Sequence, residues 1–124
     1  MNLVQEYFTL ANEVISWRES VHDNITAEAH NQKVNRMRSI AVEIEQDFPN
    51  FKLDFFNLLS NENKEIRLWV AHHMLECMNY EQCFKKYALK EIRCKVRTDR
   101  TAHGFGEKLW LKEWYKSHPK DRWL

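Results

Sequence analysis

The chain has 124 residues, 44% of them hydrophobic and 30% charged, with a net charge of +1. That length suits one domain, residues 1–124, with a core that needs neither disulfide nor metal as a staple. Two glycines and two prolines leave almost no vocabulary for hairpin turns or glycine-cradled phosphates, and an all-α chain is expected.

The apolar runs are too short to span a membrane, and the N-terminal MNLVQEYF lacks the basic start of a signal peptide. Cys77, Cys83 and Cys94 are odd in number and show no CxxC spacing. They read as reduced thiols in a cytoplasmic protein. The charge is uneven: residues 1–62 carry five Lys/Arg against ten Asp/Glu, a net of −5, and residues 63–124 carry fourteen against eight, a net of +6. Such polarity favours an electrostatic partner.

In chain order, Leu3, Tyr7, Leu10, Val14 and Trp17 recur at helical spacing, with Val4, Phe8, Ala11 and Ile15 beside them. They predict a first helix from Asn2 to about Arg18. Ser20 to Asn24 reads as a polar turn with Asn24 as cap. A second helix follows from Ile25 to Phe48, where Ala27, His30, Val34, Met37, Ala41, Ile44 and Phe48 form a seam for an antiparallel hairpin with the first. Its other face, with Arg36, Ser39, Glu43, Gln46 and Asp47, reads as solvated. Pro49 ends it.

FKLDFFNLL, residues 51–59, predicts a short helix. Beyond a polar turn, residues 63–78 form a helix apolar on nearly every side, with Glu65, His72 and Glu76 as a thin polar strip. Such a helix belongs in the middle of a stack. Arg67 falls inside its apolar arc as a structural buried charge, expected to be held by a carboxylate or by helix C-terminal carbonyls of a neighbouring element, with Asp54 and Asp99 the nearest acidic candidates. Residues 82–97 form the next helix, with Phe84, Ala88, Leu89, Ile92 and Val96 inward. The last runs from Thr101 to before Pro119, with Phe105, Leu109, Trp110 and Trp114 as its apolar mass. Gly104 and Gly106 near its start suggest a close approach or fraying.

The pairing of residues 51–59 with 63–78, and of 82–97 with 101–116, looks like two consecutive HEAT-like repeats. LLSNENKEIRLWVAHHML is similar to the HEAT pattern of a leucine pair, a polar turn, a Val/Ile-Arg dipeptide and small apolar residues. YALKEI and GEKLWLKEW resemble the matching pieces of the next repeat. With LVQEYFTLA and AHNQKVNRM, the whole resembles a small bacterial HEAT-like domain family. It departs from the pattern at Asn61, where HEAT repeats usually carry Asp six residues before the arginine. The resemblance implies a hairpin followed by two helix pairs, a short α-solenoid of about six helices. Members of such families occur among immunity proteins of toxin systems, including contact-dependent growth inhibition. A cytoplasmic immunity protein that occludes a cognate toxin domain, a nuclease, is therefore the expected function, with no enzyme activity, cofactor, metal or membrane.

For that role Glu43, Asp47 and Asp54 are the expected polar contacts, facing a basic surface, and Trp110 and Trp114 the expected anchors. The alternative is a nucleic-acid binder using Lys86, Lys90, Arg93 and Arg97, which fall on one side of their helix and could track phosphates. A generic interaction scaffold is the third reading. His72, His73, Cys77, Cys83 and His103 lack the paired spacing of zinc ligands and are read as packing residues. No nucleophile motif surrounds any cysteine. Trp123 and Leu124 either tuck back over the last helix or offer a handle.

Overall fold

A computed structural model describes residues 1–17 and 24–124, with side chains from residue 27 onward in the second segment. The expected Ser20–Asn24 turn and the Asn24 cap lie outside the described residues and side chains. Among the described residues six α-helices follow one another: α1 Leu3–Trp17, α2 Asn24–Asp47, α3 Lys52–Asn57, α4 Lys64–Cys77, α5 Gln82–Thr98 and α6 Ala102–Ser117. Short 3₁₀ turns at Pro49–Phe51, Leu58–Ser60 and Pro119–Trp123 join or finish them. The chain is all-α, a hairpin followed by two helix pairs. No described helix is long and apolar enough to cross a membrane.

The helix starts are written in local chemistry. Asn2 and Gln5 cap α1 reciprocally, each side-chain oxygen accepting the other's backbone N–H at 2.9 and 3.0 Å. Asn63 accepts from the Glu65 N–H at 2.8 Å to start α4, and Thr101 accepts from the His103 N–H at 3.3 Å to start α6. Pro49 opens the turn after α2, where its missing N–H costs nothing.

Helix α4 is the centre of the stack, packing on α1, α2, α3 and α5. Ile66, Val70, Ala71, His73, Met74 and Leu75 of α4 are buried. Around them lie Val4, Tyr7, Ala11 and Val14 from α1, Met37, Ile40, Ala41 and Ile44 from α2, Phe55 from α3 and Ala88, Leu89 and Ile92 from α5. Each large apolar side chain in this cluster contributes roughly 1.5–3 kcal/mol by leaving water.

Several side chains depart from the expected pattern. Phe105 and Leu109 of α6 are exposed, while Gly104 and Leu111 face inward. The cause is at Gly104, where a Cβ would stand 1.8 Å from the Asp99 carbonyl oxygen. Only hydrogen fits there, and this contact turns α6 so that its neighbour Phe105 points outward. Glu45, next to the face read as solvated, is engaged at the end of α2. It pairs with Lys52 at 2.8 Å and accepts the Asn79 N–H at 2.5 Å, while Lys52 also donates to the Asn79 carbonyl. The Tyr80 hydroxyl donates to the Lys52 carbonyl at 2.7 Å. This knot ties the end of α2 to α3 and to the α4–α5 turn.

Arg67 is 26% exposed rather than fully buried. Its partner is neither Asp54 nor Asp99: Nε meets Glu91 of α5 at 3.1 Å, and Nη1 donates to the carbonyls of Asn61 and Glu62 at 2.8 and 3.1 Å. One guanidinium thus fixes α4 to α5 and closes the turn that precedes α4. Asp99 instead caps its own neighbourhood, paired with Lys95 at 2.8 Å and accepting from Thr101.

Candidate functional site

Alternate helices bring their faces together. Val34, Asn35 and Arg38 of α2, six residues of α4 between Glu65 and Glu76, and Glu107 of α6 line one cleft of about 250 Å³. Its apolar wall is Val34, Leu68 and Trp69, and the Trp69 ring stacks on His73 at 5.8 Å.

The two adjacent histidines are held in opposite states. His72 reaches Glu107 through Nε2 at 2.6 Å and Glu76 through Nδ1 at 2.9 Å. Burial alone would push its pKa down, but the two carboxylates overcome that and raise it to about 9. Both ring nitrogens therefore carry protons, and the imidazolium joins α4 to α6. Glu76 falls to about 2, chiefly because it accepts from His72 despite its partial burial, and it also takes Arg38 at 3.1 Å.

His73, one residue on, points into the core. Its Nδ1 lies 2.6 Å from the Tyr7 hydroxyl, and burial lowers its pKa to about 4. It is neutral, with the tyrosine donating to Nδ1. Cys77 is nearby in sequence, but burial pushes its thiol up, the opposite of an activated nucleophile. His72 has no free lone pair for general-base work either. The arrangement holds charges in place and leaves an apolar wall open. Among the described residues no three His, Cys, Asp or Glu side chains converge as a metal site.

A column of rings extends from the cleft along α6. His72 meets Trp110 edge-on at 4.5 Å, Trp110 stacks on Trp114 at 5.2 Å, and Trp114 stacks on His118 at 3.8 Å. The Trp114 Nε1 donates to Asp121 at 2.9 Å. Both expected anchors are half-buried and already engaged with each other.

The expected acidic contacts separate. Glu43 lies 3.5 Å from Arg36, whose guanidinium also grips Glu6 at 2.7 and 3.0 Å. Asp47 and Asp54 are exposed and make no ion pair among the described residues. They sit at the elbow where α2 gives way to α3, beside two exposed apolar side chains, Phe48 at 41% and Leu53 at 57%.

The basic stripe is interrupted. Lys86, Lys90 and Arg97 are exposed. Arg93 instead turns to the C-terminal segment, donating to the Tyr115 hydroxyl at 2.8 Å and to the carbonyls of Leu124 and Asp121 at 2.7 and 3.0 Å. Lys85 pairs with the buried Asp121 at 2.8 Å. Leu124 thus packs back on the core, while Trp123 stays exposed.

Sequence reading missed the cleft residues Arg38, Trp69 and Glu107 and the elbow residues Phe48 and Leu53. Only the fold brings residues near 35, 70 and 107 together. Helical spacing places Phe48 in the α1–α2 seam, and its position directly before Pro49 is the sign that it lies past that seam. No protein-family model, curated protein or solved structure matches the chain.

Proposed function

We propose that the protein is a binding module of the immunity type, which neutralises a cognate basic toxin domain, a nuclease, in the cytoplasm by covering its working surface. The observation that carries this reading is the elbow. Asp47 and Asp54 have no cationic partner among the described residues, and they flank exposed Phe48 and Leu53. Apolar anchors beside uncompensated carboxylates suit a basic surface, because the charges steer encounter while the anchors hold the complex. The resemblance to HEAT-like immunity families supports the same role, as does a cleft whose histidines are committed to structure. The nucleic-acid reading loses Arg93 from the middle of its stripe.

The test is co-expression with the product of the reading frame next to its own gene. The parent chain should restore growth against a toxic neighbour and co-purify with it. Asp47→Lys/Asp54→Lys should weaken the complex by roughly a hundredfold without changing the melting temperature, since exposed charge pairs act mainly on association. A parent chain that neither binds nor protects overturns the proposal. Binding without protection assigns a scaffold role instead, and tight, salt-sensitive oligonucleotide binding assigns the nucleic-acid role.

A further inference from the structure

The elbow has a counterpart on α6. Phe105 and Leu109 are 62% and 49% exposed and stand four residues apart, so they share one face of the helix. Lys108 and Lys112 border them, and Tyr115 and Arg122 close a shallow depression whose lining contains no carboxylate. Neither lysine makes an ion pair among the described residues, and the Tyr115 ring lies 5.7 and 5.5 Å from the guanidinium carbons of Arg93 and Arg122. An apolar pair framed by cations thus faces outward at one place, and an apolar pair framed by carboxylates at another.

We infer that the α6 patch receives the elbow of a second copy of this chain, head to tail. Phe48 and Leu53 would meet Phe105 and Leu109, and Asp47 and Asp54 would meet Lys108 and Lys112. Each surface repels its own image, so neither pairs with itself, and the elbow of one copy must meet the α6 patch of another. The two surfaces share no element. The α6 helix rests chiefly on α5 and the C-terminal turn, while the elbow rests on α2 and α4. Filling one surface therefore uses no residue of the other. The elbow also carries the toxin contact proposed above, so self-association and capture of a basic partner exclude each other. The self-association argument itself needs no toxin.

Analytical ultracentrifugation of the purified chain tests this alone. At low salt the average mass should rise with concentration, and it should return to that of a single chain at high salt, where screening shortens the reach of the charges. Asp47→Lys/Asp54→Lys and Lys108→Glu/Lys112→Glu should each weaken association by roughly a hundredfold, because two attractions become two repulsions. Mixing these two variants should restore it, since each then supplies the charge the other has reversed. All four positions are exposed, and unchanged melting curves would show that the variants fold. A parent chain that stays monomeric at millimolar concentration and low salt overturns the inference. So does association indifferent to both reversals, or a mixture that fails to recover. A labelled oligonucleotide whose binding is lost on Lys108→Glu/Lys112→Glu, with the parent monomeric, would assign the patch to nucleic acid.

Discussion

The Tyr7 hydroxyl and His73 Nδ1 lie 2.6 Å apart in the buried centre of the stack, joining the first helix to the fourth. Their sequence separation makes this one of the longest-range polar contacts in the fold. In Tyr7→Phe the His73 nitrogen keeps its burial and loses its donor, which should cost about 1–3 kcal/mol in urea unfolding. Adding His73→Leu removes the stranded acceptor and should recover part of that loss. Equal stability of Tyr7→Phe and the parent would refute the donor assignment.

The neighbouring histidines should shape the pH dependence of stability. His73 is lowered from 6.5 to about 4, so between those values the unfolded chain binds the extra proton and stability falls as pH falls. His72 is raised from 6.5 to about 9, so the folded chain holds the extra proton between those values and stability falls as pH rises. Each limb amounts to roughly 3 kcal/mol at full extent, and stability should peak near neutral pH. In Glu107→Gln the alkaline limb should shift to lower pH, because one of the two carboxylates that raise His72 is gone. Denaturant titrations across the range would measure both limbs.

Arg67→Ala should destabilise by about 2 kcal/mol, since it frees Glu91 and uncovers the Asn61 and Glu62 carbonyls at a site only partly open to water. Arg67→Met should cost less, because it refills the volume beside α5. A double-mutant cycle with Glu91→Gln should show coupling, and strictly additive losses would contradict the pairing.

The two glycines of α6 should respond oppositely to alanine. At Gly104 the new Cβ would collide with the Asp99 carbonyl oxygen, a backbone atom with little room to give, and the cost should be about 3 kcal/mol. At Gly106 nothing lies within 4 Å, so alanine should stabilise by about 0.5–1 kcal/mol through its helix preference. Thermal melts of the two variants are sufficient to check the contrast.

The helices were legible because their ends and faces are set locally. Pro49, Asn63 and Thr101 mark boundaries that the structure keeps within a residue or two, and the Val70–Met74 arc identifies the central helix. What periodicity could not read was helix rotation and return contacts. The Gly104–Asp99 approach decides that Phe105 faces out, and no helical spacing contains that information. Arg93 fits a basic stripe by count, yet the chain doubles back after Pro119 and presents carbonyls to it. Arg67 found Glu91 one helix later in place of the acids expected from chain order. His72 and His73 look alike in sequence and differ because one side of α4 meets Tyr7 and the other meets Glu107.

The ring column along α6 makes the molecule its own optical reporter. Two indoles at 5.2 Å with planes 13° apart are close enough for their electronic transitions to couple. The far-ultraviolet circular dichroism, where the strong indole band lies, should therefore carry an exciton signature that depends on Trp110 and Trp114 together, and either single phenylalanine replacement should erase it. Because Trp114 is also fixed by Asp121 of the C-terminal turn, loosening that turn should dim the signal before the helices unwind, separating detachment of the tail from global unfolding in a single spectrum.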